Sequence, residues 1–503
     1  LRAPGDILLR AVELGEADQQ QSAFDPLAVR ANALRLMSLD AALLAIDRRC
    51  GSGAVITDLD VRETHARDES ETTPVVPEAV IRATRTEDVS AILAACHEHR
   101  IPITPRSGGT GRVGGAVPVP GGLVLALEGM DRVVAIEPDD LRVIVEPGVV
   151  LRDLHAAVEA EGLFYAPDPN SLESCRLGGN LACNAGGPRA FKYGVTRNWV
   201  LGLEAVTADG TVLEVGKPTA KGVTGYDLAG LVVGSEGTLA VVTRATLRLV
   251  PKPEEVATLL VFLPSQAALG DAITACLRRR VVPRCLEFLD ALALDILRPK
   301  AGLAVPNEAR AMLLIEVDGD ADEIPRQVER VGEAMLSAGA LDVLLARSEH
   351  ERASLWAARR DMSHAMRRQA RYKLSEDVVV PRTRIGALLD RCSALSEEHG
   401  VRVATYGHAG DGNLHVNLLW DDPDDRPKVE AAIVGLMRAT VELGGTLSGE
   451  HGIGVLKAPY LPLEQSPALI DLQERIKGVF DPRGILNPGK IFPAGAKRFH
   501  GAC

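Results

Sequence analysis

Hydrophobic and polar positions in this chain switch between a helical and a strand-like period, and the switches mark out its organisation. Residues 1–60 mix helical spacing (Ile7, Leu8, Leu9, Val12, Leu14) with polar stretches and read as a helical extension. From Ala79 the pattern predicts a strand, a helix opened by Thr86, Glu87 and Asp88 that runs to about His99, and a strand at 101–104. Short strand-like runs follow at 122–127, 133–136 and 142–145, then a helix at 151–161 and strands at 200–207 and 239–250. Pro251-Lys252-Pro253 is the strongest punctuation in the chain and is read as a domain boundary.

Beyond it the pattern repeats. Strand 257–262, helix 266–280 and strand 284–289 form one β-α-β unit, and strand 312–317, helix 323–338 and strand 342–345 form another. Two such units predict a split β-α-β sheet with helices on one face. A third region runs from strand 378–380 through helix 383–399 and a hairpin over 402–419 to a helix at 428–443.

Composition narrows the class. At 503 residues, with 46% apolar and 25% charged, the chain is too long for one core and too apolar for disorder. The balance of 56 Lys and Arg against 68 Asp and Glu gives −12, which disfavours a nucleic-acid or anionic-membrane partner. Only 3% of residues are aromatic, against 48 Gly and 30 Pro, so tight turns and close backbone approaches are expected rather than a base-stacking surface. The eight cysteines (Cys50, Cys96, Cys175, Cys183, Cys276, Cys285, Cys392, Cys503) contain no CxxC. Reduced thiols in a cytoplasmic protein fit better than disulfides or an iron–sulfur cluster. No run approaches 18 apolar residues, so no transmembrane segment is expected. The chain opens on Leu1, which leaves open whether a targeting segment preceded it.

The glycines are concentrated. The first tract, from Pro105 to Gly115, contains a formal GxGxxG at Gly109, Gly111 and Gly114. A dinucleotide fingerprint needs a helix opening at those glycines, and the continuation Ala116-Val117-Pro118-Val119-Pro120 cannot supply one. Serial N–H groups in such a loop can still cradle a pyrophosphate as a nest. A second tract spans 174–187 and a third, Gly234-Ser235-Glu236-Gly237-Thr238, leads into a strand. Together they suggest a long ligand approached by backbone at several places.

A different chemistry is concentrated in Tyr406-Gly407-His408-Ala409-Gly410-Asp411-Gly412-Asn413-Leu414-His415-Val416-Asn417. If 409–412 is the hairpin loop, His408 pairs with Asn413, and His408, His415 and Asn417 share one sheet face. Two imidazoles there can bind a divalent metal with positions left open. Ser448-Gly449-Glu450-His451-Gly452 offers a further Glu and His on a glycine-rich turn. The bland reading is surface histidines and a helix-capping Glu.

These tracts resemble the flavin domain of the vanillyl-alcohol oxidase and p-cresol methylhydroxylase type. Within it the match is to the glycolate oxidase flavin subunit, D-lactate dehydrogenase and D-2-hydroxyglutarate dehydrogenase family, from about Thr73 to Phe492. The resemblance implies an α+β fold: a two-part FAD-binding domain (61–251) after the extension, a cap with ferredoxin-like split β-α-β units (252–450), and a segment returning to the FAD domain (451–503). It implies non-covalent FAD, since Thr110 stands where some relatives carry a flavin-linking His. FAD contacts are expected from Arg106, Ser107, Gly108, Gly109, Thr110, Gly111, Pro167, Gly178, Gly179, Asn180, Glu236, Gly237, Val241 and Asn487. Arg176 departs from the family, which has a small hydroxyl residue there.

The family pattern makes His408, His415 and Glu450 the ligands of a zinc or manganese ion and leaves His451 as a base. Leu355-Trp356-Ala357-Ala358-Arg359-Arg360 resembles the segment whose first Arg grips a substrate carboxylate, which fits Arg359. Lys373 and Asn417 complete the expected substrate contacts. The implied activity is oxidation of a small D-2-hydroxy acid to the 2-oxo acid, with hydride passing to flavin N5. Electrons would leave to a quinone, an electron-transfer protein or an iron–sulfur subunit. A cytoplasmic location, or one peripheral to the inner membrane, is expected, and a homodimer stays open. Two other readings stand beside it: a zinc hydrolase built on the two-His–Glu set, which leaves the glycine tracts without purpose, and a flavin-binding subunit inactive outside a complex.

Overall fold

The alternating apolar runs close into sheets of four, five and seven strands and one two-stranded pair in the computed structural model, which describes residues 26–51, 53–298 and 305–492. Residues 1–25 of the expected extension, and Cys503, lie outside the described residues. A helix over Pro26–Cys50 buries Leu39, Ala42 and Ile46 in one core with Val89, Ile92 and Leu93 of the helix Thr86–His99.

Val55–Ile56 (β1), Val80–Arg82 (β2), Ile103–Arg106 (β3) and Leu123–Ala126 (β4) form the first sheet, in the order β1-β2-β4-β3. Next come β5 (Val133–Glu137), β6 (Arg142–Val145), β7 (Leu163–Phe164), β8 (Val200–Thr207), β9 (Val212–Gly216), β10 (Ala240–Arg248) and β11 (Val250–Pro251). Five of these build an antiparallel sheet, β5-β6-β10-β8-β9, and β7 pairs with β11. The end of the chain returns to this half: Asn487 N donates to Ile103 O at 2.8 Å and Ile103 N donates to Ile485 O at 2.8 Å, a parallel bridge beside β3.

The third sheet contains β12 (Glu255–Leu263), β13 (Cys285–Leu289), β14 (Ala311–Gly319), β15 (Asp342–Leu345), β16 (Tyr372–Val379), β17 (Arg402–His408) and β18 (Asn413–Trp420), in the order β15-β12-β14-β13-β17-β18-β16. The interleave β15-β12-β14-β13 is the split β-α-β arrangement read from the sequence. The helices, however, cover both faces. Ala267–Arg278, Ile324–Ser337, Ile385–His399 and Arg426–Glu442 pack on one side, while Ala291–Leu297, Glu349–Arg360 and Met362–Arg367 pack on the other. The reason is visible in β13 and β18, whose every residue is buried, so neither face can meet water. A second correction concerns β16. It begins at Tyr372 rather than Val378, because its first half alternates polar residues (Lys373, Ser375, Asp377) toward the same face as His415 and Asn417.

The two halves meet through charge. Lys192 Nζ reaches Asp318 Oδ1 at 2.5 Å, Tyr193 Oη donates to Asp318 Oδ2 at 2.8 Å, and Arg284 Nη1 donates to the same oxygen at 3.3 Å. Arg189 pairs with Asp168 at 3.1 Å, and the Arg189 and Arg284 guanidiniums both lie about 5 Å from the Phe164 ring centroid.

The hairpin that carries His408 turns at Gly412, whose φ of +78° suits glycine and whose Cβ would collide with the Val380 carbonyl. Gly412→Ala is expected to cost about 1–3 kcal/mol from backbone strain alone, with the collision adding to it. Urea unfolding should show the lowered midpoint.

Candidate active site

Strand register assembles the centre. Glu287 on β13 faces His408 on β17, and His415 on β18 lies between Tyr406 of β17 and Asp377 of β16. The hairpin pairs His408 with Asn413, so His408, His415 and Asn417 do share a face. Opposite them lies the turn Ser448–His451, which the Asp377 carboxylate holds. Its Oδ2 accepts from Ser448 Oγ at 3.1 Å, Gly449 N at 2.9 Å, Glu450 N at 2.9 Å and His451 N at 3.0 Å, and its Oδ1 accepts from Asn413 Nδ2 at 2.5 Å. Burial alone would raise this carboxyl, but His451, Lys457, His415 and the backbone donors hold it well below the carboxylate range.

His408 Nδ1 donates to Glu287 Oε1 at 2.6 Å, which fixes the ring and leaves its Nε2 facing the turn. That Nε2 lies 3.4 Å from His415 Nε2 and 3.5 Å from Glu450 Oε1, and the third side, His415 Nε2 to Glu450 Oε1, is 3.6 Å. A point equidistant from these three atoms is about 2.0 Å from each, within the range of zinc–nitrogen and zinc–oxygen bonds. Glu450 Oε2 is buried with no partner. His408, His415 and Glu450 could therefore hold a divalent cation with a position left open. Burial and the charges of Glu287 and Glu450 act oppositely on His408, whose pKa ends well above the usual value, while burial and His408 push His415 well below it.

His451 stacks on His415, with ring centroids 5.5 Å apart and planes 18° from parallel. Together with Glu450 it lines a cavity of about 430 Å³ between the two halves. The rest of that wall comes from the glycine tracts: Arg106, Ser107, Gly108, Gly109, Thr110 and Gly111 from the first, Gly178, Gly179 and Asn180 from the second, and Glu236, Gly237 and Val241 from the third. No helix opens after Gly109; the loop simply follows β3, and Arg106 packs its guanidinium against Gly109 (φ +67°). The second tract is not a loop throughout, for Leu177–Cys183 is a short helix whose Gly178 meets Pro147 and Ser107 too closely for a Cβ. Asn180 Nδ2 and Ser235 Oγ are buried on this wall without partners, and so are offered to a polar ligand.

Four expected residues do not line this cavity. Pro167 is behind the wall, its carbonyl taken by His155 Nε2 at 2.9 Å, and Pro169, Asn170 and Ser171 face the cavity instead. Asn487 is also behind it, where its amide donates to Gly115 O at 3.0 Å and Glu236 O at 2.8 Å and ties two wall segments together. Asn417 is fully buried and gives its amide to Ala404 and His415 carbonyls, with only Oδ1 free. Arg359 is 6% exposed, bonded through Nη2 to Glu287 Oε2 at 2.5 Å and lying 4.6 Å from the Tyr406 ring centroid. Its Nε is buried without a hydrogen-bond partner. Arg176 turns to the Gly148 carbonyl and leaves the cavity. Lys373 is brought close, in an adjoining cavity that also touches His451.

Sequence reasoning missed Glu287 and Asp377. Glu287 is a lone charge inside the apolar run Cys285-Leu286-Glu287-Phe288-Leu289, and a charge in a fully buried strand is itself a signal of a paired role.

Residues 77–216 match the model of the FAD binding domain, and residues 252–491 match that of FAD linked oxidases, C-terminal domain. The chain is 41% identical to the glycolate oxidase subunit GlcD of Bacillus subtilis (strain 168), over 84% of this chain and 90% of that one. The chain belongs to the FAD-linked oxidase family. Other relatives of this FAD-linked oxidase are a D-lactate dehydrogenase of Archaeoglobus fulgidus (38% identical, 82% and 90% covered) and a D-2-hydroxyglutarate dehydrogenase of Stutzerimonas stutzeri (33%, 88% and 97%). Its fold matches p-cresol methylhydroxylase with substrate bound, with a TM-score of 0.76 at 17% identity and 91% and 97% coverage. The 4-ethylphenol oxidase of Gulosibacter chungangensis matches at 0.74, with 22% identity and 91% and 98% coverage. This FAD-linked oxidase is thus an oxidoreductase with the vanillyl-alcohol oxidase type of FAD-binding domain. Among its described residues no helix is long and apolar enough to cross a membrane, and the seven described cysteines are free.

Asp377→Ala would leave four donors of one turn unmatched. We expect a loss of at least about 3 kcal/mol in unfolding free energy, read by thermal or urea denaturation, with the Ser448–His451 turn released.

Proposed function

We propose that this FAD-linked oxidase is a metal-assisted dehydrogenase of a D-2-hydroxy acid of the lactate, glycolate or 2-hydroxyglutarate type, producing the 2-oxo acid. The carrying observation is that one turn presents Glu450 to His408 and His415 and, at the next residue, His451 to the cavity built by the glycine tracts. The names of the relatives support the substrate class.

Non-covalently bound FAD, when present, supplies the acceptor for the C2 hydride. A zinc or manganese ion on His408, His415 and Glu450 would lower the pKa of the substrate hydroxyl. The remaining work falls to the chain. His451 takes the hydroxyl proton on its imidazole. Burial depresses its pKa more than Asp377 and Glu450 raise it, so the ring is neutral and able to accept. Asp377 positions that base through the His451 backbone and not through the ring, whose Nδ1 is 3.9 Å from Oδ2. Glu287 orients His408 and Arg359 together from one buried carboxylate. Arg359 and Lys373 supply the cations for the substrate anion. The word subunit in the name of one relative supports onward electron transfer to a partner protein, with a quinone as the other acceptor.

Anaerobic titration of the flavin-loaded protein with D- and L-2-hydroxy acids tests the reading. Bleaching of the flavin bands by D-acids is expected, and a flavin that no acid bleaches sinks it. His451→Gln should lower turnover by about 10²–10⁴-fold; near-full turnover in that variant removes the proposed base. Glu287→Gln should weaken metal retention by about 10–100-fold in a chelator competition.

A further inference from the structure

His408, His415 and Glu450 all belong to the cap or the turn packed on it, yet the flavin half reaches their surroundings at two points of one segment. That segment, residues 185–191, leaves the second glycine tract and runs along the seam. Ala185 is pinned at its start: its N–H donates to Asn180 O at 2.9 Å, and its carbonyl accepts from Thr196 N at 3.0 Å and Thr196 Oγ1 at 2.7 Å. Beyond it, Gly187 (φ +126°) lies too close to the Asp168 carbonyl for a Cβ, and Arg189 N donates to Asp168 Oδ1 at 3.1 Å.

Between these anchors Gly186 backs onto Glu450. A Cβ at Gly186 would stand 3.1 Å from Glu450 Oε2 and 3.6 Å from Val195 Cγ1. The backbone of Gly186 is outside the left-handed region, so space and not conformation asks for glycine there. The Glu450 N–H is held by Asp377, which leaves the carboxylate as the part that must yield. An ordinary contact begins at 3.4 Å, so Oε2 would have to retreat by about 0.3 Å, more than the roughly 0.2 Å that metal–ligand distances tolerate.

The second point is Phe191. Its ring packs against the cap core that contains Ala409, Leu414 and Val416. It meets Gly410 so closely that no Cβ fits there, and Arg382 lies over the ring, its Cζ 5.0 Å from the centroid, while its Nε donates to Gly410 O. Gly410 sits in the loop that joins His408 to Asn413, and both sheet histidines hang from that hairpin. Removing the ring would leave one side of the loop without a packing partner.

We propose that Gly186 and Phe191 are positioning residues of the cation site, Gly186 limiting where the Glu450 carboxylate can stand and Phe191 holding the hairpin loop. The site carried by the cap is thereby completed by the flavin half. The inference rests on the metal reading above.

The test is zinc affinity, measured by competition with a chromophoric chelator on the flavin-loaded protein and on Gly186→Ala, Phe191→Ala and Lys192→Met. The first two variants should each bind zinc about tenfold more weakly while keeping their flavin absorbance. Lys192→Met breaks an ion pair of the same seam, to Asp318, without touching the cation site, and should keep the unaltered affinity. Unchanged zinc binding in Gly186→Ala and Phe191→Ala overturns the inference, as does an equal loss in Lys192→Met, which would assign the effect to a loosened seam. Should Phe191→Ala fail to fold, Gly186→Ala against Lys192→Met carries the test alone. If His408→Ala binds zinc as the unaltered protein does, the metal reading itself is wrong and the inference falls with it.

Discussion

The Asp377 carboxylate is the constraint from which the rest of the centre follows. One oxygen accepts from the hydroxyl of Ser448 and three successive backbone N–H groups, and the other accepts from Asn413 at the hairpin. A sheet edge and a glycine-rich turn, remote in sequence, are thereby held face to face. The turn then delivers a carboxylate and an imidazole in adjacent positions, one directed to the sheet histidines and one to the cavity. Lys457 reinforces the joint by donating to the carbonyls of Asp377 and Leu447. The charge is buried yet fully satisfied, which is the condition under which an ionised side chain can act as a rigid strut.

Glu287 plays the corresponding part on the other side. A single carboxylate binds both His408 and Arg359, so the orientation of a ring facing the proposed metal position and the placement of a guanidinium are not independent. Burial works against the ionised form, and the two cationic partners more than compensate. One residue thus couples the proposed cation-binding face to the proposed anion-binding face.

Much of this was legible in the sequence where local rules govern. The hairpin pairing of His408 with Asn413 follows from a four-residue loop and period-two alternation, and the glycine tracts announced a cavity walled by backbone. What escaped was set by tertiary packing. Glu287 lies in the first β-α-β unit and reaches His408 only because β13 is the strand beside β17, a neighbour relation no local period encodes. The start of β16 was hidden because polar residues facing the site interrupt its apolar run. The helices on the second sheet face were missed for a related reason: alternation predicts which residues share a face, not whether that face meets water. Asn487, expected near the flavin by resemblance, gives its amide nitrogen to the Gly115 and Glu236 carbonyls behind the cavity wall and keeps its Oδ1 without a partner.

The junction between the halves gathers Asp168, Arg189, Lys192, Tyr193, Arg284 and Asp318 into one partly buried network around Phe164. Swinging the seven-stranded sheet away from the glycine tracts would break the Lys192–Asp318 ion pair and the Tyr193–Asp318 hydrogen bond, while Asp168 would keep Arg189 and Asp318 would keep Arg284. Opening the cavity by a hinge at this seam would have to break polar contacts that converge on one carboxylate of the cover, Asp318.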